Sequence, residues 1–160
     1  MRTGLTPRDL HPSQGDPQPA GFKMVASRGI EVAVNCRFTI EKEPWLNMRV
    51  DGSSVGFPMR RLDYLLEKLI DIIEQRDGHA SHNLMDGSTT MTFFGARFGD
   101  ASRGVAIMVS PHTARLSLEQ ARDLVEGLRL FAFEIIAYCQ HRNWLPPALR
   151  RQQLALVATT

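Results

Sequence analysis

Histidine, cysteine and carboxylate side chains are where this 160-residue chain could move protons or hold a metal. The sharpest cluster is His79-Ala-Ser-His82, with Asp77 just before it. His-x-x-His offers zinc two ligands, but a zinc site takes three or four, and the neighbouring sequence does not supply the rest. His112 stands beside Pro111 in a turn-like stretch. His141 follows a long apolar run, at a helix end where the dipole favours a cation. Cys36 and Cys139 each sit among apolar residues, the setting of a buried free thiol rather than of a disulfide or a metal ligand. No Ser/His/Asp or Cys/His order stands out. Glu41 and Glu43 flank a turn. Gly52, Gly56, Gly99 and Gly104 fit turns, not a phosphate-cradling loop. The sequence therefore names no catalytic residue, no metal site and no cofactor. An active site can still assemble across a fold, but the expectation is a non-catalytic protein.

Charge bears on a second chemistry, the binding of phosphates. Arginine outnumbers lysine sixteen to three, a usage typical of GC-rich bacterial genomes. The sequence pI is about 8.8. However, residues 23–78 carry nine basic and nine acidic side chains, and residues 79–140 carry five and six. The excess lies at the end, in Arg142, Arg150 and Arg151. Arg37, Arg49 and Arg97, with Phe94, are the residues that could interleave cations and an aromatic on a sheet, as single-stranded nucleic acid requires. A body near neutrality counts against that use. No apolar run approaches the ~20 residues that cross a bilayer. The first residues lack the apolar core of a signal peptide. The expected location is the cytoplasm, with no membrane partner.

These side chains must be placed by a scaffold, and an internal repeat describes it. Residues 32–73 lie over residues 91–132 without a gap. Val32, Val34, Leu46, Met48 and Val50 fall on Met91, Phe93, Val105, Ile107 and Val109. Leu62, Leu65, Leu66 and Leu69 fall on Ala121, Leu124, Val125 and Leu128. Four positions are identical, too few to prove common ancestry; the pattern carries the claim. Ile30 to Ile40 alternates as a half-buried strand, and Leu46 to Val50 follows as a second. Asp51-Gly52-Ser53-Ser54 reads as a turn. Pro58 suits a helix start, and apolar residues from Met59 to Ile73 recur at helical spacing. In the second unit, about Thr89–Phe98 pairs with about Val105–Ser110. A capping box, Ser117 with Gln120, then opens a helix to about His141.

The expected fold is α+β: two ββα units forming one four-stranded antiparallel sheet with two helices on one face. Residues 1–22, rich in proline and glycine, read as a disordered leader. Residues 23–144 form the domain, with the pseudo-repeat at 30–78 and 89–141. Residues 145–160 form a basic C-terminal arm.

Function is expected where the two units differ. The solvent side of the first hairpin carries Asn35, Arg37, Asn47 and Arg49. The matching side of the second carries Phe94, Ala96, Phe98, Ala106 and Met108. From Leu130 to Cys139 the second helix carries one charge, Glu134, and is otherwise apolar all round, which calls for burial on all sides. Phe94, Phe98 and Met108, with Phe133 and Tyr138 on the helix, are the candidate interface. The sequence thus points to a protein-binding factor, such as an adaptor, inhibitor, immunity or chaperone-like protein, acting as a homodimer or with another protein. The alternative is a single-stranded nucleic-acid binder using Arg37, Arg49, Phe94 and Arg97.

Overall fold

Val32, Val34 and Phe38 are buried while Asn35 and Arg37 between them are exposed, the period-two signature of a strand with one wet side. A computed structural model describes residues 18–76 and 80–144. The expected leader, apart from residues 18–22, and the C-terminal arm lie outside these residues. Four strands come first: β1 Phe22–Val25, β2 Glu31–Phe38, β3 Pro44–Val50 and β4 Ser53–Pro58. Helix α1, Leu62–Ile73, follows after a 3-10 turn at Met59–Arg61. Four more strands are β5 Ser81–Asp86, β6 Thr89–Arg97, β7 Arg103–Val109 and β8 His112–Ser117, and they lead into α2, Leu118–His141.

The α+β class holds, but the single sheet does not. There are two four-stranded antiparallel sheets, β1-β2-β3-β4 and β5-β6-β7-β8, here sheet 1 and sheet 2. Each unit adds an outer strand on either side of the expected hairpin. The outer strands hide in the sequence because their patterns are weak. β4 reads SSVGFP, with only Val55 and Phe57 pointing inward between poor strand formers. β5 reads SHNLMD and fully buries only Leu84. β1, read as leader up to Phe22, is four residues long.

The repeat itself is sharper than its sequence. β3 and β4 recur as β7 and β8 with every boundary shifted by 59 residues. The pairing recurs too: Val32 opposite Val50 returns as Met91 opposite Val109, and Val34 opposite Met48 as Phe93 opposite Ile107. Register is preserved because a one-residue slip would turn every apolar side chain to water.

The inner faces of the two sheets and both helices share one core. Met48, Phe57, Met91, Phe93 and Ile107 are among its fully buried members. The helices do not stay with their own sheets. α1 ends unit one but lies on sheet 2: Ile72 packs over Gly95, 3.2 Å from where a Cβ would stand. Arg103 of β7 donates to the last carbonyls of α1, at 2.9 Å to Ile72 O and 3.3 Å to Ile73 O. A cation there meets the negative end of the helix. α2 starts from β8 with the capping box formed: Gln120 N donates to Ser117 Oγ, and Ser117 N to Gln120 Oε1. Its later turns then reach sheet 1. Phe131 meets Phe22 edge-on at 6.0 Å, and Tyr138 stacks on Phe38 at 5.4 Å. The apolar stretch of α2 is thus buried on more than one side, at Phe131, Ile135 and Cys139 and also at Ile136 and Tyr138, but not all round, since Leu130 is 57% exposed.

Candidate functional site

With the inner faces packed, the chain presents two outer sheet faces, and alternation assigns every strand residue to one side. The outer face of sheet 1 carries Lys23 and Val25 from β1, and Glu31, Ala33, Asn35 and Arg37 from β2. β3 adds Trp45, Asn47 and Arg49, and β4 adds Ser54, Gly56 and Pro58. Arg37 stands opposite Trp45, and Asn35 opposite Asn47. Glu31 holds two of the cations, Arg49 at 3.2 Å and Lys23 at 3.7 Å. Arg37 forms no ion pair with a described residue. Its Nη2, the Trp45 ring and the Asp86 carboxylate surround Gly56 at ordinary contact distance from its missing Cβ.

The outer face of sheet 2 is of another kind. Phe94 lies opposite Ala106, which lies opposite Arg115; Thr92 lies opposite Met108, which lies opposite Thr113. Ser81, Asn83, Met85, Thr90, Ala96, Gly104 and Ser117 complete it. The Phe98 ring comes close to Gly104, which leaves it room: a Cβ on Gly104 would stand 2.7 Å from the ring and 2.2 Å from Leu116 O. The Arg115 guanidinium lies over the Phe98 ring, 6.0 Å from its centroid. Phe94 and Phe98 are half-buried, whereas Met85 is 63% and Met108 36% exposed. Arg115 is the only charged residue among the strand positions of this face.

The structure thus brings together Phe94, Phe98 and Met108 and separates the rest of the expected interface from them. Tyr138 is 7% exposed and belongs to the core, with the Arg142 guanidinium 3.6 Å over its ring. Phe133 packs against the same core. The outward apolar residue of α2 is Leu130. The nucleic-acid set is also divided. Arg37 and Arg49 share the outer face of sheet 1, and Phe94 is on sheet 2. Arg97 has the inward parity of Met91 and Phe93 and donates to Ala101 O within its own hairpin. The sequence missed Arg115, because β8 was not recognised and its parity could not be read.

The remaining candidates have structural surroundings. His82 packs edge-on against Tyr64 at 6.4 Å and tilted against Phe93 at 5.5 Å. His79 lies outside the described residues. His112 begins β8, with Nδ1 3.7 Å from the Asp51 carboxylate. Glu43 pairs with Arg60. No group of three or more His, Cys, Asp or Glu among the described residues is arranged to hold a metal. Cys139 is buried and Cys36 half-buried. Burial pushes both thiols up, Cys139 to about 12 against the pull of Arg142. Cys36 goes further, because Cys139 adds to the effect of burial. Both therefore stay protonated and unreactive near neutrality.

Charge is segregated by element, which a count along the chain conceals. The strands carry Lys23, Arg37, Arg49, Arg97, Arg103 and Arg115 against Glu31 and Asp86. The helices carry seven acids, from Asp63 to Glu134, against Lys68, Arg122 and Arg129. No described helix is long and apolar enough to cross a membrane. Compared with known proteins, the chain matches no family model and no curated protein.

Proposed function

We propose that this is a non-catalytic protein-binding factor and that the outer face of sheet 2 is its docking surface, used first for pairing with a second copy of the chain. One observation carries the proposal. That face holds phenylalanine, methionine and a single arginine, with no lysine, aspartate or glutamate, the composition that marks interface centres. Threonine, asparagine and serine surround it and form a polar rim. A two-fold contact sets the same patch against itself, and the lone Arg115 stays over Phe98 at its margin. Phe94→Glu with Met108→Glu is expected to raise the dimer dissociation constant at least ~100-fold, the scale of buried hot-spot residues. Light scattering reads this as dimer becoming monomer. The matched change on sheet 1, Asn35→Glu with Arg49→Glu, is expected to leave the mass alone. A monomeric wild type, or equal behaviour of the two pairs, removes the proposal.

A second function is favoured by the other face. Lys23, Arg37, Arg49 and Trp45, which share this face with two asparagines, have the parts of a single-strand binding platform: cations for phosphates and an indole for a base. The strand-to-helix charge segregation points any polyanion toward the sheets. Sheet 2 pairing leaves this face open, so the two uses are compatible. A labelled single-stranded oligonucleotide at low salt tests it: Arg37→Glu with Arg49→Glu is expected to abolish binding. Absence of binding at micromolar wild-type protein sinks it.

A further inference from the structure

Away from the strands, residues of the two helices and of the segment after α1 line a groove of about 400 Å³. It lies at the joint between the units, since α1 belongs to the first and α2 to the second. Ile70 and Ile73 of α1 and Val125 of α2 form an apolar floor. Arg122, Glu126 and Arg129 rise beside Val125 at helical spacings of three and four, so they share one face of α2. Across from them stand Glu74 and Arg76.

The charges of this rim are unevenly matched. Arg76 is held by Glu74 at 2.7 Å and by Asp71 at 3.2 Å. Arg129 is held by Glu126 at 3.5 Å. Arg122 forms no ion pair with any described residue. The two acids are thus already engaged, and the charge left over in the groove is one guanidinium above an apolar floor. Guanidinium recognises a carboxylate or sulfonate through paired N–H donors. The volume is at the small end of ligand pockets, which limits the apolar body to a short chain or a compact ring system.

We infer that the α1–α2 groove is a binding site for a small amphipathic anion, its acid group on Arg122 and its apolar body on Ile70, Ile73 and Val125. The site is separate from both sheet faces, and an occupant would clasp a helix of each unit. Such a ligand ties the two halves of the molecule together without obstructing either outer surface.

The test uses the full chain and 8-anilinonaphthalene-1-sulfonate, a sulfonate with an apolar ring system, read by its fluorescence. The expected result is saturable binding of one dye per chain, weakened at least tenfold by Arg122→Gln, an exposed substitution that leaves the core alone. Octanoate is expected to displace the dye, and octanol at equal concentration is not. Phe94→Glu is expected to leave the titration unchanged. An Arg122→Gln protein that binds as tightly as wild type overturns the inference. So does loss of dye with Phe94→Glu, which would place it on sheet 2, and so does the absence of saturable binding.

Discussion

Where sheet 1 shows Arg49 to solvent, sheet 2 shows Met108 at the same place in the repeat, and Asn35 is likewise matched by Phe94. The inner faces of the two sheets keep one apolar pattern, while the outer faces diverge into a charged one and an apolar one. The core tolerates little change because both sheets close on the same volume. The outer faces are free of that demand, so they can diverge without disturbing the core. In the functions proposed above, one side would serve a polyanion and the other a protein.

The comparison can be broken most strongly at the glycines. Gly104 lies close to the Phe98 ring and to Leu116 O, so Gly104→Ala is expected to cost about 1–3 kcal/mol through overpacking. Gly56, on the other face, has its neighbours at 3.4–3.6 Å from the missing Cβ. Gly56→Ala is therefore expected to change stability by less than about 0.5 kcal/mol. Urea midpoints of the two variants measure this, and equal losses would show that the Phe98 ring does not need the room at Gly104.

Next in size is a difference beneath the faces. The underside of sheet 1 carries Cys36, where the repeat places Gly95 in sheet 2. The folded protein keeps the Cys36 and Cys139 protons that the unfolded chain releases near pH 9.0. Stability is then fully present below that pH and declines above it, because the native state binds more protons than the unfolded one. The slope is at most about 1.4 kcal/mol per pH unit for each thiol. Urea unfolding at several pH values between about 8 and about 10 should show the decline flattened in a Cys36→Ala, Cys139→Ala protein. Parallel curves would discard the thiols as its source.

The smallest effect sharpens the charged face. Glu31→Gln releases Lys23 and Arg49, and since exposed ion pairs contribute at most about 1 kcal/mol, stability hardly changes. Oligonucleotide affinity on sheet 1 is expected to rise, with a steeper salt dependence. Dimer mass, governed by sheet 2, is expected to stay fixed. An affinity that falls would mean that Glu31 orders the face rather than masks it.

How much of this was visible beforehand depended on the strength of alternation. β2 and β6, with runs such as Val32, Val34 and Met91, Phe93, announce themselves, and Ser117 with Gln120 marks the start of α2 to the residue. β4 and β8 show two inward apolar residues each, Val55 with Phe57 and Ala114 with Leu116, too few to separate strand from turn. Without them one sheet seemed sufficient, and Arg115 had no face. Phe94 and Met108 could be placed because their strands were found. Tyr138 could not, because its burial depends on Phe38, which is a hundred positions earlier. The arginine left over in the helix groove was likewise invisible, since Arg122 meets Arg76 and its acids only when the units come together.

That long separation has a consequence during synthesis. Phe38 and the rest of the underside of sheet 1 leave the ribosome well before Tyr138 exists. At about 5–20 residues per second the wait is roughly 5–20 s. Over that time the nascent first half exposes an apolar sheet surface that sheet 2 and α2 cover only later. The contact between Phe38 and Tyr138 is therefore among the last that can form, and it closes slowly, as non-local topologies do.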